Sequence, residues 1–266
     1  MMCITSDLVK ELRLKSGIGI MECKKALISA HGDIQKAILI LKKNGQIKAE
    51  NKIKNITLRG IIATYVIKKK YAYMLELNCE TDFVEKHVDF LNFSTEVLNF
   101  AYKNNIKDII LLKKLMEEKR IMLVSQFNEN ILIRRFYCLL GDFILSYIHR
   151  NKIGVLLKSN SKKTEVIKKV AMHIAANSPD YLSRHDIPNV ILEKERKIQL
   201  EVALRLGKPL SIAKKIVNGQ IEKFIKNVCL LEQNCVFEVN KTIQSFLSEN
   251  NIQIEQFMRF ELGEIN

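Results

Sequence analysis

The chain has 266 residues, 47% of them hydrophobic and 27% charged, with 3 Pro, 10 Gly and no Trp. These globular values exclude a linker-rich or low-complexity chain and leave room for one large domain or two or three small ones. The formal net charge of +14 makes nucleic acid or an acidic protein the natural partner class, but the lysines are scattered as pairs and 68–70 is the longest purely cationic run, which suits a solvated basic surface better than a phosphate-tracking groove.

Cys3, Cys23, Cys79, Cys138, Cys229 and Cys235 form no C-x-x-C pair, so neither a zinc knuckle nor a redox dithiol is expected. Asp7, Lys10 and Glu11 interrupt any apolar leader core. Arg134, Arg135 and Asp142 likewise break the longest greasy stretch, 131–148. Free thiols and a reducing cytoplasm are the expectation. Enzyme chemistry lacks its parts, because the sequence has no G-x-x-x-x-G-K-[ST], no H-E-x-x-H and no ligand-spaced Cys or His cluster.

In chain order, Gly17, Gly32 and Gly45 each follow a stretch with helical apolar spacing, where a left-handed residue would end a helix. Three short helices are predicted. The first has a Thr5 or Ser6 cap and carries Leu8, Val9 and Leu12. The second carries Cys23, Ala26 and Leu27, and the third starts at Asp33 with Ile34, Ala37, Ile38 and Leu41 on one side. Residues 48–55 read as a polar linker. The loop Gly17-Ile18-Gly19-Ile20-Met21 sets large apolar residues beside two glycines, so it either plugs the bundle or docks on a partner.

Residues 60–67 and 71–77, rich in β-branched and aromatic residues, flank the turn Lys68-Lys69-Lys70 and read as a hairpin. The next run, Asn78-Cys79-Glu80-Thr81-Asp82-Phe83-Val84, puts an acid, an aromatic and a branched aliphatic where a strand gives way to a helix. Asp82 with Glu85 matches a capping box, and Phe83 and Val84 either pack inward or form a wedge that invades another protein; a cap and an outward Phe83 can coexist. Helices over 89–102 and 109–127 follow from their three- and four-residue apolar spacing.

The order then repeats: 141–149 and 152–157 read as a second hairpin, followed by a helix over 164–176. Two related α+β subdomains, each a small antiparallel sheet backed by helices, account for this. His173, on an apolar helix face, reads as a satisfied core histidine. From 190 to 226, Ile191, Ile198, Val202 and Leu206 recur near helical spacing, Gly207-Lys208-Pro209 interrupts, and Ile212, Ile216, Phe224 and Ile225 resume. This is either a projecting antiparallel coiled-coil hairpin or two ordinary core helices. Residues 228–239 look strand-like, 242–247 helical, and 256–262 alternate like a final strand.

Several of these motifs, in one order, resemble the elongation factor Ts family across essentially the whole chain. They are Leu8-Val9-Lys10-Glu11-Leu12-Arg13, the Gly17 loop with Cys23-Lys24-Lys25-Ala26-Leu27, Gly32-Asp33, Thr81-Asp82-Phe83-Val84, Asn128-Glu129-Asn130-Ile131, Ile133-Arg134-Arg135, Tyr147 and His149 ahead of Ile153-Gly154-Val155, and Ala171-Met172-His173-Ile174-Ala175-Ala176. The resemblance implies an α+β fold with an N-terminal three-helix, UBA-like module and linker (1–54), a first core subdomain (55–140), and a second (141–266) with a helical hairpin inserted at about 189–227.

The resemblance also implies a function without covalent chemistry: binding elongation factor Tu with GDP, displacing its Mg²⁺, and promoting GDP release and GTP loading during translation elongation. By the same resemblance Thr81, Asp82, Phe83 and Val84 dislocate the partner's Mg²⁺. Arg13, Ile20, Met21 and Lys24 grip the partner's nucleotide-binding domain, and His149 helps the second subdomain hold a different domain. The implied partner is elongation factor Tu, GDP-bound or nucleotide-free, with no cofactor, no resident metal, no direct nucleic acid and no membrane; a homodimer or a two-to-two complex is left open. Two departures bear on affinity: the chain ends four residues after Leu262, where many members continue into a further helical module, and it is basic where the better-studied members are acidic. The alternative reading is a basic RNA-binding protein of the translation apparatus.

Overall fold

The computed structural model describes residues 4–206 and 209–264. The Thr5 hydroxyl accepts from Leu8 N to start α1 (Ser6–Ser16), and Gly17, at φ 68°, ends it by donating to Arg13 O. α2 (Ile20–Ser29) follows, and Asp33 caps α3 (Ile34–Lys52) through Lys36 N. Val9, Leu12, Ile18, Cys23, Leu27, Ala37 and Leu41 fill the space between the three helices.

β1 (Arg59–Ile67) and β2 (Tyr71–Cys79) form the first hairpin, turning at Lys68 and Lys69, which adopt φ 51° and 56°. α4 (Asp82–Lys86), α5 (Val88–Lys103) and α6 (Ile109–Phe127) intervene before β3 (Leu132–Leu140) pairs with the free edge of β2. The sequence reading did not place β3, because Arg134-Arg135 breaks its alternation. The break is a bulge: Glu76 opposes Arg135, Leu77 opposes Ile133, and Arg134 is the extra residue.

The second unit comprises β4 (Ile144–His149), β5 (Ile153–Ser159), α7 (Thr164–Asn177), α8 (Asn189–Arg205), α9 (Leu210–Val228), α10 (Ile243–Glu249) and β6 (Ile254–Glu261), with β6 returning to pair with β5. Among the described residues the architecture is therefore α+β, with two antiparallel three-stranded sheets. They meet face to face through Ile62, Met74 and Leu139 on one side and Ile144, Leu156 and Phe260 on the other. Gly154 permits this closeness, since a Cβ there would lie 2.5 Å from Ile62 Cγ2 and 2.8 Å from Met74 Sδ. Helices α5 and α6 cover the outer face of the first sheet, and α7 and α10 that of the second. Central strand β2 is covered on both faces and is buried from 72 to 79.

Three expectations are corrected. Gly45 does not end a helix and 48–52 is not linker, because α3 runs through to Lys52. Gly45 instead lets α3 approach α6, where a Cβ would sit 3.2 Å from Ile121 Cγ2 and 3.4 Å from Ser125 Cβ. The α8/α9 hairpin forms, with Arg196 bonded to Asn218, but its seam is Leu192, Leu200 and Ala203 against Ala213, Val217, Ile221 and Ile225. Ile191, Ile198, Val202, Leu206, Ile212 and Ile216 are exposed. Each helix carries two apolar stripes, and periodicity does not say which one is covered; Gly207 and Lys208 lie outside the described residues. The stretch 228–239 is not a strand but a 3₁₀ turn, Leu230–Glu232, tied to Tyr181 O and Leu182 O by Leu230 N and Leu231 N.

Cys23, Cys79, Cys138, Cys229 and Cys235 are unpaired, while Cys3 lies outside the described residues. His173 is buried with Nε2 2.8 Å from Gln233 Oε1, as a satisfied core histidine should be. Among the described residues no helix is long and apolar enough to cross a membrane.

Candidate functional site

At the end of β2 the chain turns into α4, and Thr81, not Asp82, is the cap: its hydroxyl accepts from Val84 N at 3.5 Å. The expected Asp82–Glu85 capping box is thereby corrected, since Asp82 is already the first helical residue. Its carboxylate instead takes the Lys86 ammonium at 2.9 Å, one turn on, and that bond holds it below the usual carboxylate range. Adjacent side chains then part company. Val84 is 5% exposed and belongs to the core, whereas Phe83 is 83% exposed.

The strand-to-helix joint is held from the neighbouring segment that leads out of α6 into β3. Glu129 Oε2 accepts from the Glu80 and Thr81 backbone N–H groups at 3.2 and 3.0 Å, and Oε1 accepts from the Thr81 hydroxyl at 2.6 Å. In return Glu80 Oε1 accepts from Asn130 N at 2.6 Å and Asn55 Nδ2 at 2.9 Å. Each acid thus satisfies backbone donors of the other's segment, which fixes where α4 begins. Glu129 and Asn130 were missed as site residues; the signal available was the polar run Asn128-Glu129-Asn130 directly after an apolar helix, where Asn128 turns the chain at φ 56°.

In the N-terminal module the apolar loop divides between core and surface. Ile18, 3% exposed, plugs the bundle, while Ile20 and Met21, at 51% and 65%, open onto the surface at the start of α2. Arg13, Ile20 and Met21 line a depression of ≈ 540 Å³, with Lys48, Gln126 and Asn128 across it. Lys24 is exposed further along α2 and does not line it. Gln126 and Asn128 come from the end of α6, which also touches the α4–α5 joint: Gln126 Nε2 donates to Asp89 at 2.6 Å, and the Phe127 ring meets His87 edge-on at 4.8 Å.

His149 lies apart from this depression, exposed at the end of β4, with Nδ1 3.3 Å from the Tyr147 hydroxyl. The structure thus brings Arg13, Ile20 and Met21 together, sets Thr81–Val84 beyond the end of α6, and carries His149 on the second sheet. Among the described residues no three His, Cys, Asp or Glu side chains gather in a way that could hold a metal ion. The arrangement presents an exposed aromatic, Phe83, on a capped first turn beside the Asp82 carboxylate, and leaves Ile20, Met21 and His149 exposed on other elements.

Residues 80–264 match the family model described as elongation factor TS. Over 262 residues the chain is 45% identical to elongation factor Ts of Buchnera aphidicola subsp. Acyrthosiphon pisum (strain APS), with 98% of this chain and 97% of that protein covered. Over 265 residues it is 46% identical to elongation factor Ts of Yersinia pestis (strain Pestoides F), with 99% and 93% covered.

Proposed function

The chain belongs to the elongation factor Ts family of translation elongation factors, and from that premise we propose that it is a guanine-nucleotide exchange factor acting on elongation factor Tu in the cytoplasm. The observation that carries this reading is the division at α4, where Val84 is locked in the core and Phe83 stands free beside an ionised Asp82. A side chain carried on a capped, already ordered turn leaves less backbone freedom to lose on insertion, so more of the contact energy is available to deform the partner.

A guanine nucleotide is held through its phosphates, their Mg²⁺ and phosphate-cradling amides. Phe83 wedges beside the partner's metal site while Asp82 brings negative charge toward it. Loss of the metal leaves phosphate charge uncompensated, GDP departs, and GTP loads into the vacated site. Arg13, Ile20, Met21 and Lys24 grip the nucleotide-binding domain from the 1–54 module. Thr81 to Val84 act from the 55–140 unit, and His149 holds a second partner domain from the 141–266 unit. No covalent bond forms or breaks in this scheme. Linkage requires that nucleotide and factor weaken each other's binding equally.

Stopped-flow release of fluorescently labelled GDP from purified elongation factor Tu tests the reading. The expected result is release accelerated in proportion to added factor until saturation. Release unchanged by the chain, beside a salt-sensitive shift of labelled RNA, would replace exchange with RNA binding.

A further inference from the structure

The β4–β5 turn is tight, with Arg150 and Asn151 at φ 50° and 57°, and the N–H of Lys152 closes it on His149 O at 2.9 Å. The backbone of Lys152 therefore belongs to the turn that carries His149. Its side chain does not stay there. Lys152 Nζ crosses to the first sheet and sits 2.6 Å from Glu85 Oε2 and 2.9 Å from Gly60 O. Glu85 lies on α4, two positions after Phe83, and the same Oε2 accepts from Gly60 N at 3.3 Å.

The ion pair thus holds Gly60 on both sides, by its C=O and by its N–H. The gripped residue has to be glycine, since at φ 139° a Cβ would lie 2.1 Å from Leu77 O where the backbone packs against β2. One further bond joins the same turn to β1: Ile62 N donates to Asn151 O at 2.8 Å. Much of the remaining contact between the sheets is apolar and non-directional, and the other polar ties, among them Gly263 N to Glu76 at 3.0 Å and Gln256 Nε2 to the Tyr137 hydroxyl at 2.8 Å, involve neither α4 nor the His149 turn. The Lys152–Glu85–Gly60 cluster is directional, and its two ends carry the Phe83 helix and the His149 turn.

We propose that Lys152 is a positioning residue that joins the His149 turn to the Phe83 helix through Glu85, so that grip on one partner domain drives the wedge into another. The inference rests on the exchange reading above. Insertion of Phe83 is the strained step, and binding energy gathered at His149 reaches it only through a stiff connection. With the connection cut, the partner is still held but the wedge is no longer driven.

The test is GDP release from elongation factor Tu over a range of factor concentrations, for the parent chain and Lys152→Met, Lys152→Arg and Glu85→Gln. Lys152→Met keeps the aliphatic stem and removes the ammonium. Expected is a maximal rate lowered roughly tenfold with the half-saturating concentration within about threefold of the parent, the same loss in Glu85→Gln, and recovery of most of the rate in Lys152→Arg. A parent that accelerates release beside a Lys152→Met chain of equal maximal rate overturns the inference alone. So does a loss confined to the half-saturating concentration, or one that disappears when rates are normalised to the folded fraction. A parent that leaves release unchanged overturns the exchange reading itself, and the inference with it.

Discussion

The Thr81 hydroxyl donates to Glu129 at 2.6 Å while the Thr81 N–H donates to the other oxygen of the same carboxylate at 3.0 Å, across 48 positions of sequence. One acid thereby fixes the residue that caps α4, and with it the direction in which Phe83 leaves the surface. Glu129→Ala would strand the N–H groups of Glu80 and Thr81 in a part-buried site. The expected cost is about 1–3 kcal/mol by denaturant unfolding, together with slower GDP release at temperatures where the variant remains folded. Unchanged stability would mean that water replaces the carboxylate freely, and unchanged release would mean that cap geometry does not matter to the wedge.

Phe83→Ala separates exposure from packing. With the ring 83% exposed, its removal is expected to leave stability within about 0.5 kcal/mol of the parent, while maximal GDP release falls at least roughly tenfold. The complex should still form, since the module and His149 are untouched. A variant that melts several degrees lower but exchanges normally per folded molecule would make Phe83 a packing residue after all.

Much of this arrangement was legible in the residues. Helices α5 and α6 and both hairpins announce themselves through sustained periodicity and turn residues, and the loop at 17–21 was marked by apolar side chains between glycines. What was hidden depended on long-range contact. Thr81 and Asp82 are both good caps, and Glu129, far along the chain, settles which one serves. Gly45 looks like a helix end until α6 is brought against it. The consecutive Arg134 and Arg135 look like a break in a strand until Glu76 is seen to take both guanidiniums, at 2.8 and 2.5 Å. In α8 and α9 the apolar positions were visible, but which stripe formed the seam was not.

The N-terminal loop gives a paired prediction. Ile18→Ser places a hydroxyl in the bundle core and leaves a void, so a loss of about 3 kcal/mol is expected in chemical denaturation. Ile20→Ser with Met21→Ser alters only exposed positions and should leave the unfolding curve nearly superimposable on the parent. The complex with elongation factor Tu should respond the other way, with the double variant binding at least roughly tenfold more weakly by titration. Equal affinity for the double variant and the parent would remove Ile20 and Met21 from the contact surface.

Glu76 gives the sharpest expectation for pH. It is wholly buried on β2, and burial alone would raise its carboxyl; the Gly263 N–H at 3.0 Å and the guanidiniums of Arg135 and Arg134 outweigh that and hold it below the usual carboxylate range. The folded state therefore binds this proton less readily than the unfolded chain. Its contribution to stability is complete above the unfolded carboxylate range and is lost as pH falls through that range toward the lower folded value. Glu76→Gln removes the buried carboxylate that Arg134 and Arg135 share, leaving Arg135 its pairing with Glu264 at 3.2 Å, and is expected to cost about 3 kcal/mol at neutral pH. Between about pH 5 and pH 3 the parent should lose stability more steeply than the variant, because one proton fewer is taken up on unfolding once the acid is gone. The loss should also reach the end of β6, since Arg134 donates to Glu264 O at 2.5 Å and Arg135 to Glu261 O at 2.6 Å. Amide hydrogen exchange would register that as faster exchange at Gly263, whose N–H bonds to Glu76 in the parent. Parallel stability curves for parent and variant across this pH range would show that Glu76 titrates alike in the folded and unfolded chain, and that its buried pair adds nothing to acid resistance.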